Sequence, residues 1–86
     1  MLIVSFKASF IREFNKLEKD LSEEVLSKMN LFKNPENHEM LKVHKLHGPM
    51  KKMWSFSVNY KTRIVFNYVS KKEVALLAIG DHSIYN

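Results

Sequence analysis

Arg63 is one of two arginines in the chain, and its planar fork of donors can hold two phosphate oxygens at once. A lysine offers no such geometry. The plainer reading is an exposed strand residue that serves solubility. His82 carries an imidazole, the side-chain type suited to giving or taking a proton near neutral pH. On its own it reads as a surface histidine near the end of the sequence. Tyr85, three residues on, can stack on a nucleobase or anchor its segment to the core. The charge around these residues is one-sided. Residues 40–72 hold eight basic side chains and no acid, whereas residues 1–39 hold six basic and seven acidic ones. Such a field suits a phosphate backbone. Lysines that merely solubilise a surface are the competing account. His44 and His47 lie in the same stretch. Residues three apart on a strand point to opposite faces, and no thiol is present, so His44-x-x-His47 is not read as a metal pair.

The elements that must position these groups follow from pattern. The chain of 86 residues suits one domain spanning 1–86, and a hydrophobic share of 45% with 27% charged residues is a globular balance. The absence of cysteine removes disulfides and thiolate metal sites and fits a reducing cytosol. The opening MLIVSF reads as a strand rather than a signal peptide, and no run approaches membrane-spanning length.

Ser9 is expected to cap a helix carrying Phe10, Phe14 and Leu17 at helical spacing. Ser22 is expected to start a second helix running to about Phe32, with Val25, Leu26 and Met29 on one side. Asp20 and Leu21 then form the joint of an antiparallel helical hairpin. Asn34-Pro35 ends the helical part. Val43 to Leu46 reads as a short strand, and HGPMKK as a turn. In WSFSVNY, Trp54, Phe56 and Val58 face one way and Ser55, Ser57 and Asn59 the other. RIVFNY repeats the alternation, and EVALLAI, apolar on both faces, reads as a buried inner strand. The expected layout is α+β: an N-terminal strand, the helical hairpin, then three antiparallel strands completing a four-stranded sheet. The helices cover the face bearing Trp54, Phe56, Ile64 and Phe66. The other face, with Ser55, Ser57, Asn59, Arg63 and Asn67, is expected to be an open, cationic platform.

With HKLHG, WSFSVNYKTRIVF and LLAIGDHSIY in this order, the sequence resembles the RelE/ParE toxin superfamily of toxin–antitoxin modules. The matching features are a Leu-x-Gly turn, an aromatic hairpin with a basic-hydrophobic-hydrophobic-aromatic strand, and a closing G-x-H-x-x-aromatic segment. They are closer to the RelE and YafQ branches than to ParE. The resemblance implies a ribosome-dependent endoribonuclease that cuts mRNA in the A site. There the RNA 2′-hydroxyl attacks the adjacent phosphate, and no metal or other cofactor takes part. It also implies a cytoplasmic protein, without a membrane, held by a small, acidic, partly disordered antitoxin.

Carried over residue by residue, Arg63 grips the phosphate, and His82 protonates the leaving 5′-oxygen or takes the 2′-hydroxyl proton. Tyr85 matches the terminal aromatic, and His44 the histidine before the Leu-x-Gly turn. Lys45, His47, Lys51, Lys52 and Lys61 supply RNA-binding charge. Where YafQ relatives carry a second histidine and an aspartate, this chain has Ser57 and Lys61, so the general base is not assigned. If Leu46 is core, alternation makes Lys45 and His47 the exposed pair and turns His44 inward. A ParE-like gyrase inhibitor and a non-catalytic RNA-binding homologue are the alternatives.

Overall fold

The alternating segments pair as strands, and a computed structural model of the chain describes residues 1–48 and 52–81. In chain order the elements are β1 (Ile3–Phe6), α1 (Ala8–Phe14), α2 (Lys19–Phe32), β2 (His44–Lys45), β3 (Trp54–Ser57), β4 (Arg63–Tyr68) and β5 (Glu73–Gly80). A 3-10 turn at Pro35–Asn37 follows α2, with Asn34 Oδ1 accepting from the Glu36 N–H at 3.1 Å and proline at the start. One sheet results, in the order β1-β5-β4-β3-β2. It has five strands rather than the expected four. The short piece around His44 adds to the free edge of β3, with His44 opposite Ser55 and Lys45 opposite Trp54. β1 runs parallel to β5, and the other pairings are antiparallel.

The core lies on one face. Phe32, at the end of α2, stacks on Phe56 at 4.3 Å and meets Phe66 edge-on at 4.8 Å. Val25, Met29, Phe10, Ile64, Val74 and Leu76 close around them. Such rings contribute about 1.5–3 kcal/mol each by burial. Tyr68 sits at the margin of this cluster, and burial pushes its phenol above the ordinary pKa of 10.0. Leu26 departs from expectation: it is 52% exposed, because the buried side of α2 runs through Val25, Met29 and Phe32 instead.

The helix starts also differ. α1 begins at Ala8 and α2 at Lys19, neither with a side-chain cap. Ser22 lies inside α2, its hydroxyl donating to the Lys19 carbonyl at 2.8 Å. Asp20 and Leu21 are therefore helical, and the joint between the helices is residues 15–18.

Ser9 has another task. A bulge between Val65 and Phe66 shifts the β4–β5 register, and β1 ends opposite Leu76. Past that point β5 has no strand on its β1 side. Ser9 donates to the Leu77 carbonyl at 2.6 Å, and Glu13 Oε1 accepts from the Ile79 N–H at 3.1 Å. Side chains of α1 thus satisfy the backbone groups that a strand would otherwise take.

The second sheet face is not the open platform expected. Ser55 is 0% and Val65 2% exposed, and Ala75 is equally closed, whereas Ser57, Arg63 and Asn67 are half-buried. Ser55 and Ala75 are too small to stand above their neighbours. Among the described residues, no helix is long and apolar enough to cross a membrane.

Candidate nucleic-acid interface

Arg63 opens β4 and pairs with Ser57 on one side and Gly80 on the other. The polypeptide leaves β5 at Gly80, so the segment leading to His82 departs directly beside Arg63. His82 and Tyr85 themselves lie outside the described residues, as does Lys51.

The Arg63 guanidinium is held from one end. Its Nη1 donates to the Asn59 carbonyl and, at 3.3 Å, to the Thr62 carbonyl. Both carbonyls belong to the β3–β4 turn. Asn59 is thus a turn residue, not the sheet-face residue that alternation suggested. Among the described residues only Nη1 of the guanidinium is engaged, and the edge formed by Nη2 and Nε is suited to two oxygens of one phosphate. Lys61 is exposed in the same turn.

His44 is exposed in β2, with its Nδ1 at 2.9 Å from the Lys42 carbonyl. The local backbone explains the outward position, since Lys42 adopts φ 58 and turns the segment just before the strand. Leu46 is buried as expected, but His44 is not turned inward with it. Register places His44 opposite Ser55, and Ser55 shares its sheet face with Ser57, the partner of Arg63. Two strand spacings and two residues along put the His44 and Arg63 backbones about 12 Å apart on that face.

The remaining cations fall at the other end of the sheet. Lys45 is opposite Trp54, at the start of β3, while Arg63 is opposite Ser57, at its end. His47 and Lys52 are exposed in the loop beyond Lys45, and Lys71 and Lys72 in the β4–β5 turn at the same end. Gly48, after His47, needs its positive φ of 67 for that turn. The residues picked from the sequence therefore form two groups: Arg63 and Lys61 beside the end of β5, and Lys45, His47 and Lys52 roughly three residues, about 10 Å, further along. His44 lies between them. Sequence reading gave Ser9 a capping role and Asn59 a place on the sheet face, and passed over Glu13; their bonds to backbone groups leave no spacing pattern.

No protein-family model matches the chain, and no curated protein matches it by sequence. Solved structures do match, over nearly the full length. A conserved hypothetical protein from Helicobacter pylori superposes with a TM-score of 0.72, covering 96% of this chain and 97% of its own at 26% identity. A chain of the RelBE2 toxin–antitoxin complex from Mycobacterium tuberculosis gives 0.74 at 16% identity, covering 94% and 98%. A YafQ mutant from E. coli gives 0.70 at 15% identity, covering 98% and 97%. Two helices with a mostly antiparallel sheet, in this order and over this span, are the RelE-like fold that the RelBE2 and YafQ structures display.

Proposed function

We propose that this chain is the toxin of a type II toxin–antitoxin module, an endoribonuclease that cuts mRNA in the ribosomal A site in the cytoplasm. The single observation that carries this reading is the pairing of Arg63 with Gly80. It supports the reading because Arg63, whose fork suits a phosphate, lies beside the residue from which the segment to His82 leaves the sheet. The two residues from Gly80 to His82 span at most about 7 Å of chain, within reach of one nucleotide linkage.

In this mechanism the Nη2 and Nε edge of Arg63 holds the non-bridging oxygens of the scissile phosphate. As the RNA 2′-hydroxyl attacks phosphorus, charge accumulates on those oxygens, and the guanidinium opposes it. The P–O5′ bond breaks, leaving a 2′,3′-cyclic phosphate, and His82 delivers the proton to the departing 5′-oxygen. In this reading His44 takes the proton that the 2′-hydroxyl loses as the O2′–P bond forms, a role supported by its register on the same sheet face as Arg63. Tyr85 stacks on a base. Lys61 holds backbone charge beside the reaction, and Lys45, His47, Lys51 and Lys52 hold the flanking strand.

An uncontrolled nuclease of this kind needs a partner. A small acidic antitoxin complements the acid-free stretch of residues 40–72 and would cover it.

Ribosomes programmed with a defined message, with the cut ends mapped, test the reading. The wild-type chain is expected to cut the A-site codon. Arg63→Ala should lose about 100- to 1,000-fold in single-turnover rate, the scale of removing one transition-state donor, with an unchanged far-UV spectrum. His82→Ala should lose about 100- to 10,000-fold. Intact message with a folded wild-type sample rejects the nuclease. If the same sample then blocks DNA supercoiling, the ParE-like reading takes its place.

A further inference from the structure

Arg63 is useful as a phosphate fork only if its long side chain is already held in place. The polar groups around its fixed end converge on one residue. Asn59 Oδ1 accepts from the Lys61 N–H at 2.9 Å and from the Thr62 N–H at 2.8 Å, folding the turn over its own side chain. The Val58 N–H donates to the Thr62 carbonyl at 2.9 Å and closes the turn. The Asn59 and Thr62 carbonyls then both accept from Arg63 Nη1. On the far side, Asn59 Nδ2 donates to Glu24 Oε1 of α2 at 2.8 Å. One carboxamide thus shapes the turn and ties it to a helix of the core layer, while its own backbone carbonyl holds the guanidinium.

Resting on the nuclease reading above, we propose that Asn59, braced by Glu24, is a positioning residue that pre-orients Arg63 for the scissile phosphate. It does not touch RNA. It acts by fixing Nη1 on the turn, so that the Nη2–Nε edge of the fork meets phosphate without first losing rotamer freedom. Glu24 enters through its carboxylate oxygen, which accepts the Asn59 amide proton. The direction of that bond can be inverted.

The inversion supplies the test. Asn59→Asp keeps an oxygen for the turn but loses the amide donor and sets two carboxylates together. Adding Glu24→Gln restores a donor across the same gap. On programmed ribosomes, Asn59→Ala and Asn59→Asp are each expected to slow single-turnover cleavage by about 100-fold. KM should stay within about twofold, and Asn59→Asp/Glu24→Gln should recover most of the rate. In an Arg63→Ala background, Asn59→Ala should add less than about twofold, because its effect runs through the missing guanidinium. Full additivity of the two substitutions, or no recovery in the paired exchange, overturns the proposal.

A second readout does not need cleavage. In the free protein the Arg63 Nε–Hε cross-peak should be sharp for wild type and averaged for Asn59→Ala. Titration with a 2′-O-methyl RNA oligonucleotide should move it in the wild type. If the wild type fails to cut RNA but this peak behaves as described, the nuclease reading fails and the positioning of Arg63 stands. A peak identical in wild type and Asn59→Ala rejects the positioning, whatever the activity.

Discussion

Asn67 keeps a carbonyl oxygen shut away from water, and no donor among the described residues reaches it. It lies on β4 opposite Ala75 of β5, on the same sheet face as the closed Val65. A buried acceptor without a donor costs about 1–3 kcal/mol. Valine has similar bulk and suits a strand better. Asn67→Val is therefore expected to hold or raise stability, by about 4–8 °C in Tm for each kcal/mol recovered. A fall of that size in thermal unfolding would reveal a partner for the oxygen. Residues differ in how far the sequence exposes them. Arg63 stands out because arginine is scarce here and its chemistry is specific. Asn59 does not, because an asparagine after an alternating strand looks like one more outward polar residue. Only the turn geometry gives its amide a purpose.

At the scale of elements, β5 matters most, because the segment toward His82 leaves from its end. Its edge is shared in sequence between β1, as far as Leu76, and the side chains of α1 beyond it. Glu13→Ala should remove a charge-assisted bond of about 1.5–3 kcal/mol, and Ser9→Ala one of about 1 kcal/mol. Glu13→Gln retains an acceptor and should cost less. Hydrogen exchange at the Ile79 amide is the direct check: it should quicken in Glu13→Ala while amides in β3 keep their protection. Uniform acceleration throughout the sheet would instead mean general destabilisation. The strand periods were readable because β3 and β4 bury one side chain in two against the helices. The helix starts were not. Neither helix uses a side-chain cap, so Ser9 and Ser22 were false markers of their ends.

For the molecule as a whole, the useful quantity is where charge sits on the sheet. Arg63 and Lys61 lie at one end, Lys45, His47, Lys52, Lys71 and Lys72 at the other, with His44 between. RNA laid over the face that bears Arg63 and His44 would reach Lys45 only around the β2 edge, because Lys45 is in register with Trp54 on the helix side. Binding to unstructured RNA should weaken steeply with salt, with a log–log slope of about −0.7 per neutralised phosphate. Lys45→Glu with Lys52→Glu should flatten that slope and raise Kd, yet leave the cleavage rate at saturation nearer wild type than Arg63→Ala does. An unchanged slope would place the RNA elsewhere.

The sequence by itself determined the fold class, the buried aromatic face, the position of β4 and β5, and the concentration of basic charge between residues 40 and 72. Those depend on periodicity and composition, which are local properties of the polymer. Tertiary structure alone decided that β2 joins the sheet as a fifth strand, that Ser55 and Val65 are closed off, and that α1 finishes the edge of β5. It alone also brought Arg63 against Gly80 and placed Glu24 beneath Asn59. Register and backbone hydrogen bonds link residues far apart along the chain, and no spacing within a single segment encodes them.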